Sequence, residues 1–260
     1  MPTGQTSNPI LSSRTRVTRL IIAVDGPAAS GKSTTAKLVA DRLGFTYIDS
    51  GAMYRAAALK AVRLSVSMDD NDRLGEVARE ASIELTGRGR GPILLDGEDV
   101  TDAIRDDDVS VAASLMSTVP EVRRALVAQQ REIGHRESCV MEGRDIGTVV
   151  FPDADLKVFL VASIEERARR RFEQSATQRE AAEAGGERDD AEQVLREIME
   201  NIAERDRRDS TRADSPLRKA EDAVEVDTTS MTIEQQVDSV VDLAVARGAV
   251  PPGEREVRRL

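Results

Sequence analysis

The chain has 260 residues, with 37 basic and 47 acidic side chains and a net charge of −10 at pH 7. That surplus of acid excludes a general binder of polymeric nucleic acid or of an anionic membrane surface, so a phosphate site has to be built from local arginines. One cysteine (Cys139) excludes an internal disulfide, one histidine (His135) leaves no usual zinc set, and no stretch approaches 18 apolar residues. Residues 1–19 are rich in Ser, Thr, Pro and Arg and lack the apolar core of a signal peptide. They are expected to be a disordered arm, and the default setting is cytoplasmic and reducing.

Leu20 to Val24 is apolar and reads as a buried parallel strand. Gly26-Pro27-Ala28-Ala29-Ser30-Gly31-Lys32-Ser33 then matches G-x-x-x-x-G-K-[ST], followed by Thr34 in a helical pattern from Lys32 to Leu43. The glycines let the backbone wrap an anion with its N–H groups turned inward, and the helix adds the positive end of its dipole. Lys32 supplies a point charge for the β/γ-phosphates and the Ser33 hydroxyl a ligand for Mg²⁺. Strand, loop and helix in this order predict a nucleoside triphosphate site.

Phe45 to Ile48 reads as a second strand, Ala52 to Leu64 as a helix and Asp69 to Ala81 as a polar helix. Ile83 to Thr86 and Ile93 to Leu95 alternate like strands around Gly87-Arg-Gly-Arg-Gly91, a hairpin that interrupts the β-α rhythm as an inserted subdomain. Helical spacing returns over Val109 to Met116 and Val122 to Ile133, with Pro120 near the second start. Cys139 to Met141, Leu156 to Val161 and Ala223 to Val226 are further strands; 164–173, 191–208 and 232–246 are further helices. Polar residues 174–190, with Gly185-Gly186, are expected to form a mobile flap, and 247–260 a frayed tail. The alternation predicts an α/β fold, a doubly wound parallel sheet flanked by helices, with ligands beyond the carboxyl ends of the strands.

Two strand exits and one helical region carry candidate chemistry. Asp49-Ser50-Gly-Ala-Met-Tyr54-Arg55 reads either as a helix start capped by Ser50 with Tyr54 in the core, or as a site where Arg55 meets a phosphate. Glu142-Gly-Arg144-Asp145-Ile-Gly147 is either a polar turn or a site, and the bracketing glycines favour the site. Between 163 and 218 there are twelve arginines and no lysine, with Arg167, Arg170 and Arg171 on one helix face and Arg205, Asp209 and Arg212 on another. On composition, with acids slightly outnumbering the arginines, the stretch reads as a solvated, salt-bridged helical hairpin. Against that, such a face would usually mix the two cations, and the planar fork of arginine suits phosphate. Cys139 and His135 are a strand residue and a surface residue.

These stretches together resemble the bacterial cytidylate (CMP/dCMP) kinases. The resemblance rests on Ile22 to Ser33, Asp49 to Arg55, Leu95-Asp-Gly-Glu-Asp-Val100, Gly143-Arg-Asp-Ile-Gly-Thr-Val-Val-Phe-Pro-Asp153, Arg205 to Asp209 with Arg212, and Val226-Asp-Thr-Thr. It covers about residues 20–246 and implies a P-loop nucleoside monophosphate kinase domain with a monophosphate-binding insert at about 66–108 and an arginine-bearing lid at about 171–190. It further implies that Ser50, Tyr54 and Arg55 line the monophosphate site and that Arg144 and Arg212 hold the phosphate. Ser114, Arg123 and Asp145 would face cytosine, and Arg205 and Asp209 the ribose. Arg167, Arg170 and Arg171 would meet the donor phosphates, with Lys32, Arg144, Arg170 and Arg171 as the catalytic set. Glu142 stands where some members carry Asp, which leaves open whether it or Asp25 assists the metal. The implied activity is transfer from ATP, with Mg²⁺, to CMP and dCMP by a monomer. Another P-loop kinase of a different monophosphate is the alternative; a GTPase-type switch would carry Asn-Lys-x-Asp, which this sequence lacks.

Overall fold

A computed structural model describes residues 19–182 and 191–252. The expected arm up to residue 18, the glycine pair of the flap and the tail beyond 252 lie outside the described residues. The main sheet has five parallel strands: β1 (Ile21–Asp25), β2 (Thr46–Asp49), β6 (Cys139–Glu142), β7 (Leu156–Val161) and β8 (Val224–Asp227), in the order β2-β6-β1-β7-β8. A second, antiparallel sheet joins β3 (Ile83–Leu85), β4 (Ile93–Leu95) and β5 (Glu98–Asp99).

Period-2 alternation in β1 sends its side chains to both faces of the sheet. Ile21 and Ala23 enter one buried cluster, formed with α2 (Ser50–Arg63), α3 (Asn71–Glu80), α4 (Asp107–Met116) and α5 (Pro120–Gly134). Ile22 and Val24 enter the other, with α1 (Lys32–Leu43) and α8 (Ile233–Ala246). Covering both faces of a parallel sheet in this way is the doubly wound arrangement. Its consequence is local: the exits of β1, β2 and β6 lie side by side at one end. The remaining helices, α6 (Ile164–Ala182) and α7 (Ala191–Thr211), pack on each other beside that end.

Local signals place most boundaries. Asp70 and Thr232 cap α3 and α8, the latter through a reciprocal box with Gln235, and Pro120 opens α5. Four features differ from expectation. The cap of α2 is Asp49, whose carboxylate accepts the Ala52 N–H, while Ser50 already lies in the helix and donates to the Glu142 carbonyl at 2.6 Å. Residues 174–182, expected in the flap, continue α6, because Gln, Ala, Glu and Arg favour helix and no Gly or Pro intervenes. The hairpin gains a third strand of two residues, too short to leave a pattern in the sequence. Ile146–Val150 forms one π-helical turn after β6.

The expected insert shares its core with the main domain. Leu74, Val77 and Ala78 of α3 and Ile83 and Leu95 of the small sheet belong to the cluster that contains Ile48 and Met141. The Gly87–Gly91 loop folds back over β2: a Cβ on Gly89 would lie 1.9 Å from the Tyr47 carbonyl oxygen, and Arg90 pairs with Asp41.

Candidate active site

The loop from Gly26 to Ser33 links β1 to α1 in a conformation that its glycines permit. Gly26 has φ 149°, and a Cβ there would lie 2.1 Å from the Leu160 carbonyl oxygen. Lys32 folds back inside the loop, donating to the Pro27 carbonyl at 2.6 Å and to Ser30 Oγ at 3.4 Å. Burial and then Arg144 pull its ammonium down to about 7. Ser33 is exposed at the start of α1, and its hydroxyl bonds to the buried Glu142 carboxylate. Thr35 and Gln236 brace the loop from behind through a 2.8 Å bond.

Asp25 ends β1 and ties it to the neighbouring exit. Its two carboxylate oxygens accept the N–H groups of Ile146 at 2.8 Å and Gly147 at 2.7 Å, and burial pushes its carboxyl up to about 6. Glu142, at the end of β6, accepts from the Tyr47 hydroxyl; burial and then Asp49 raise its carboxyl above the ordinary range. Neither acid belongs to a group of three metal-ligating side chains, and among the described residues no such group exists.

A cluster of arginines faces the loop. Arg144 donates from Nε to Asp209 at 2.8 Å, and Arg55 pairs with Asp49 at 3.1 Å. Arg205 makes no ion pair among the described residues, and Arg144 pushes its guanidinium down to about 10, with desolvation, Arg55 and Arg171 adding to the effect. Beyond them, Asp145 is gripped from two sides: Oδ2 pairs with Arg123, and Oδ1 lies 3.5 Å from Arg212 Nη2. The Arg123 guanidinium stands 6.0 Å from the centre of the Tyr54 ring. The Tyr54 hydroxyl is buried without a hydrogen-bond partner, and desolvation pushes it up to about 12. Ser114 joins this group through Arg208, which donates to its Oγ at 2.8 Å, and it has no bond to Asp145.

The three arginines of α6 separate. Arg167 is buried against the phosphate loop and donates to the Ala28 carbonyl at 3.2 Å. Arg170 donates to the Ser30 carbonyl at 3.3 Å and to both oxygens of Thr228, the hydroxyl at 3.1 Å. Arg171 is exposed, 3.3 Å from Gln174 Oε1, and it faces the Arg205 cluster.

This constellation is matched by a family profile described as Cytidylate kinase, over residues 22–246. The chain belongs to the cytidylate kinase family. It is a nucleoside monophosphate kinase, a transferase whose acceptor is itself a phosphate. It is 50% identical over 234 residues to the cytidylate kinase of Solibacter usitatus (strain Ellin6076), covering 90% of this chain and 95% of the relative. The cytidylate kinase of Geobacillus kaustophilus (strain HTA426) is 47% identical, covering 88% and 98%, and that of Bacillus subtilis (strain 168) 43%, covering 86% and 96%. In this member of the cytidylate kinase family, sequence reasoning left several residues of the site without a role: Asp206, Arg208, Thr228 and Gln236. The first two sit inside the quoted Arg205 to Asp209 motif and Thr228 inside the closing Val226-Asp-Thr-Thr, so the signal was present as spacing without a partner. No helix among the described residues is long and apolar enough to cross a membrane.

Proposed function

We propose that this kinase transfers the γ-phosphoryl group of ATP to CMP and dCMP, giving ADP and CDP or dCDP in a cytoplasmic setting. The observation that supports this reading is the repulsion within the arginine cluster. Arg55, Arg144, Arg171 and Arg205 lie close enough together to depress Arg205, a cost that a dianionic phosphate relieves. Arg144 and Arg205 also act on Lys32, so the loop and the cluster form two anion sites in electrostatic contact. A donor triphosphate and an acceptor monophosphate need two such sites.

In this reading Ser50, Tyr54 and Arg55 line the monophosphate site, Arg144 and Arg212 hold the phosphate, and Arg205 and Asp209 meet the ribose. Ser114, Arg123 and Asp145 face the base, each carboxylate oxygen of Asp145 keeping a lone pair beyond its arginine. The accepting phosphate oxygen is already ionised at neutral pH, its second pKa being about 6, so no general base is required. Lys32, Arg167, Arg170 and Arg171 screen the approach of two polyanions, and α6 and α7 exclude water that would otherwise intercept the transfer. The Ser33 hydroxyl beside the Glu142 carboxylate suits Mg²⁺, as one direct oxygen ligand with an acid near enough to hold a coordinated water. That ion would neutralise charge on the donor phosphates.

The test is ADP release from ATP with CMP, dCMP, UMP, AMP or no acceptor. Release that depends on CMP or dCMP is the expected result. Equal release without an acceptor would rule out the kinase reaction, and a clear preference for UMP or AMP would rule out the base assignment.

A further inference from the structure

Ala28, in the middle of the phosphate loop, has both of its backbone polar groups taken by the two helices beside the site. Its carbonyl accepts from Arg167 Nη1 of α6 at 3.2 Å, and its N–H donates to Asp206 Oδ1 of α7 at 3.2 Å. The other carboxylate oxygen of Asp206 pairs with that same Nη1 of Arg167. Three residues far apart in sequence therefore close a ring: one peptide of the loop, one cation and one anion. The Arg167 side chain is 9% exposed and that of Asp206 20%, so the pair is largely shielded from solvent. Arg167 Nε is buried and has no hydrogen-bond partner, which leaves Asp206 and Ala28 as the groups that fix this guanidinium.

A carboxylate beside a loop that receives phosphate opposes the ligand's charge, and the site would bind anions better without it. Its placement is explained by what it holds. Arginine loses much rotamer freedom when it is fixed, and a bond to a charged partner sets its orientation before the ligand arrives. We propose that Asp206 is a positioning residue for phosphoryl transfer: it locks Arg167 and the Ala28 peptide into one unit, so that the shape of the phosphate loop and the seating of α6 and α7 are set together. The inference rests on the reading of this loop as the donor site and adds a residue to which that reading gives no role.

Asp206→Asn keeps the shape and an oxygen that can accept the Ala28 N–H, but it removes the charge that pairs with Arg167. The wild type must first show CMP-dependent ADP release; if it does not, the proposed function fails whatever the variants do. Given that activity, Asp206→Asn is expected to lower kcat at least tenfold, while KM for CMP and the calorimetric Kd for ADP move less than threefold. Because Asp206 acts through Arg167, the double variant Asp206→Asn/Arg167→Gln should lose no more than twofold relative to Arg167→Gln alone. A kcat within twofold of wild type, a kcat/KM loss matched by weaker ADP binding, or additive losses in the double variant would each overturn the proposal. If Asp206→Asn does not fold, Asp206→Glu replaces it, keeping the charge but displacing it by one methylene. A threefold or greater loss of kcat is then expected, and wild-type kcat overturns the proposal.

Discussion

Lys32 is a lysine whose charge depends on what fills the loop around it. With its ammonium at about 7, roughly half the molecules carry it neutral at pH 7, and phosphate anions bound beside it restore the proton. ADP binding at pH 8 is therefore expected to take up close to one proton, measurable by calorimetry in buffers of different ionisation heat. Affinity should fall as pH rises above 7, by at most about tenfold per unit. The same shift acts oppositely on the free fold: between about 7 and the ordinary lysine value of 10.5 the unfolded chain holds the extra proton, so this residue's contribution to stability grows as pH rises through that window. Lys32→Ala should abolish the proton uptake and lower turnover by about 10²–10³-fold, the scale of one lost charge-stabilising donor, with a near-normal melting temperature. Asp145 lies at the other end of the site. Asp145→Asn removes the carboxylate between Arg123 and Arg212, with side chains 3% and 4% exposed, leaving Arg123 only Asp214 at 3.9 Å, and breaking a buried pair costs about 3–5 kcal/mol. Asparagine can also donate to the O4 of uracil where the carboxylate can only accept. The kcat/KM ratio of CMP over UMP should fall at least tenfold in this variant; equal losses on both nucleotides would restrict Asp145 to holding its two arginines.

Helix α6 assigns its arginines different tasks, although the sequence offers them as one face. Arg170 joins the Ser30 and Thr228 carbonyls, so Arg170→Ala removes one donor from each of these shielded acceptors, leaving the Thr228 hydroxyl on the first and the Met231 N–H on the second, and should lower both the melting temperature and kcat. Arg171 is exposed, and Arg171→Ala should lower kcat with the melting temperature within about a degree of wild type. Thermal denaturation beside kcat separates the two, and equal melting shifts would contradict the assignment. The boundary between what the sequence shows and hides runs through these elements. The loop before α1 is legible because its determinants are contiguous: an apolar run, two glycines, a lysine and a serine. The α/β rhythm is legible because period 2 and period 3.6 differ within a few residues. The cap of α2 is not, since Asp49 and Ser50 both qualify and only the geometry chooses between them. The partners of Arg170 and Asp145 are not either, because an ion pair or carbonyl contact across the sheet leaves no periodic trace.

At the scale of the molecule, the loop of the small sheet meets the main one through a backbone contact, beside the shared apolar core and the Arg90–Asp41 pair. Gly89 at φ 80° rests on the Tyr47 carbonyl, whereas the nearby Arg88–Glu137 pair is exposed and contributes little. Gly89→Ala should push this loop off β2, raising KM for CMP several-fold while the Kd for ADP holds steady; a parallel rise in both would mean that the loop supports the whole domain. The strand order has a further consequence, for how the protein is made. β1 and β2 are consecutive in the chain but never touch: β6 lies between them, and β7 flanks β1 on its other side. At roughly 5–20 residues per second, β1 emerges from the ribosome several seconds before Cys139 to Glu142 follows. Throughout that interval the phosphate loop has no sheet to anchor it. The growing chain holds helices α1 to α5 around two strand edges with nothing to pair to, so the nucleotide site is among the last parts of this enzyme to exist.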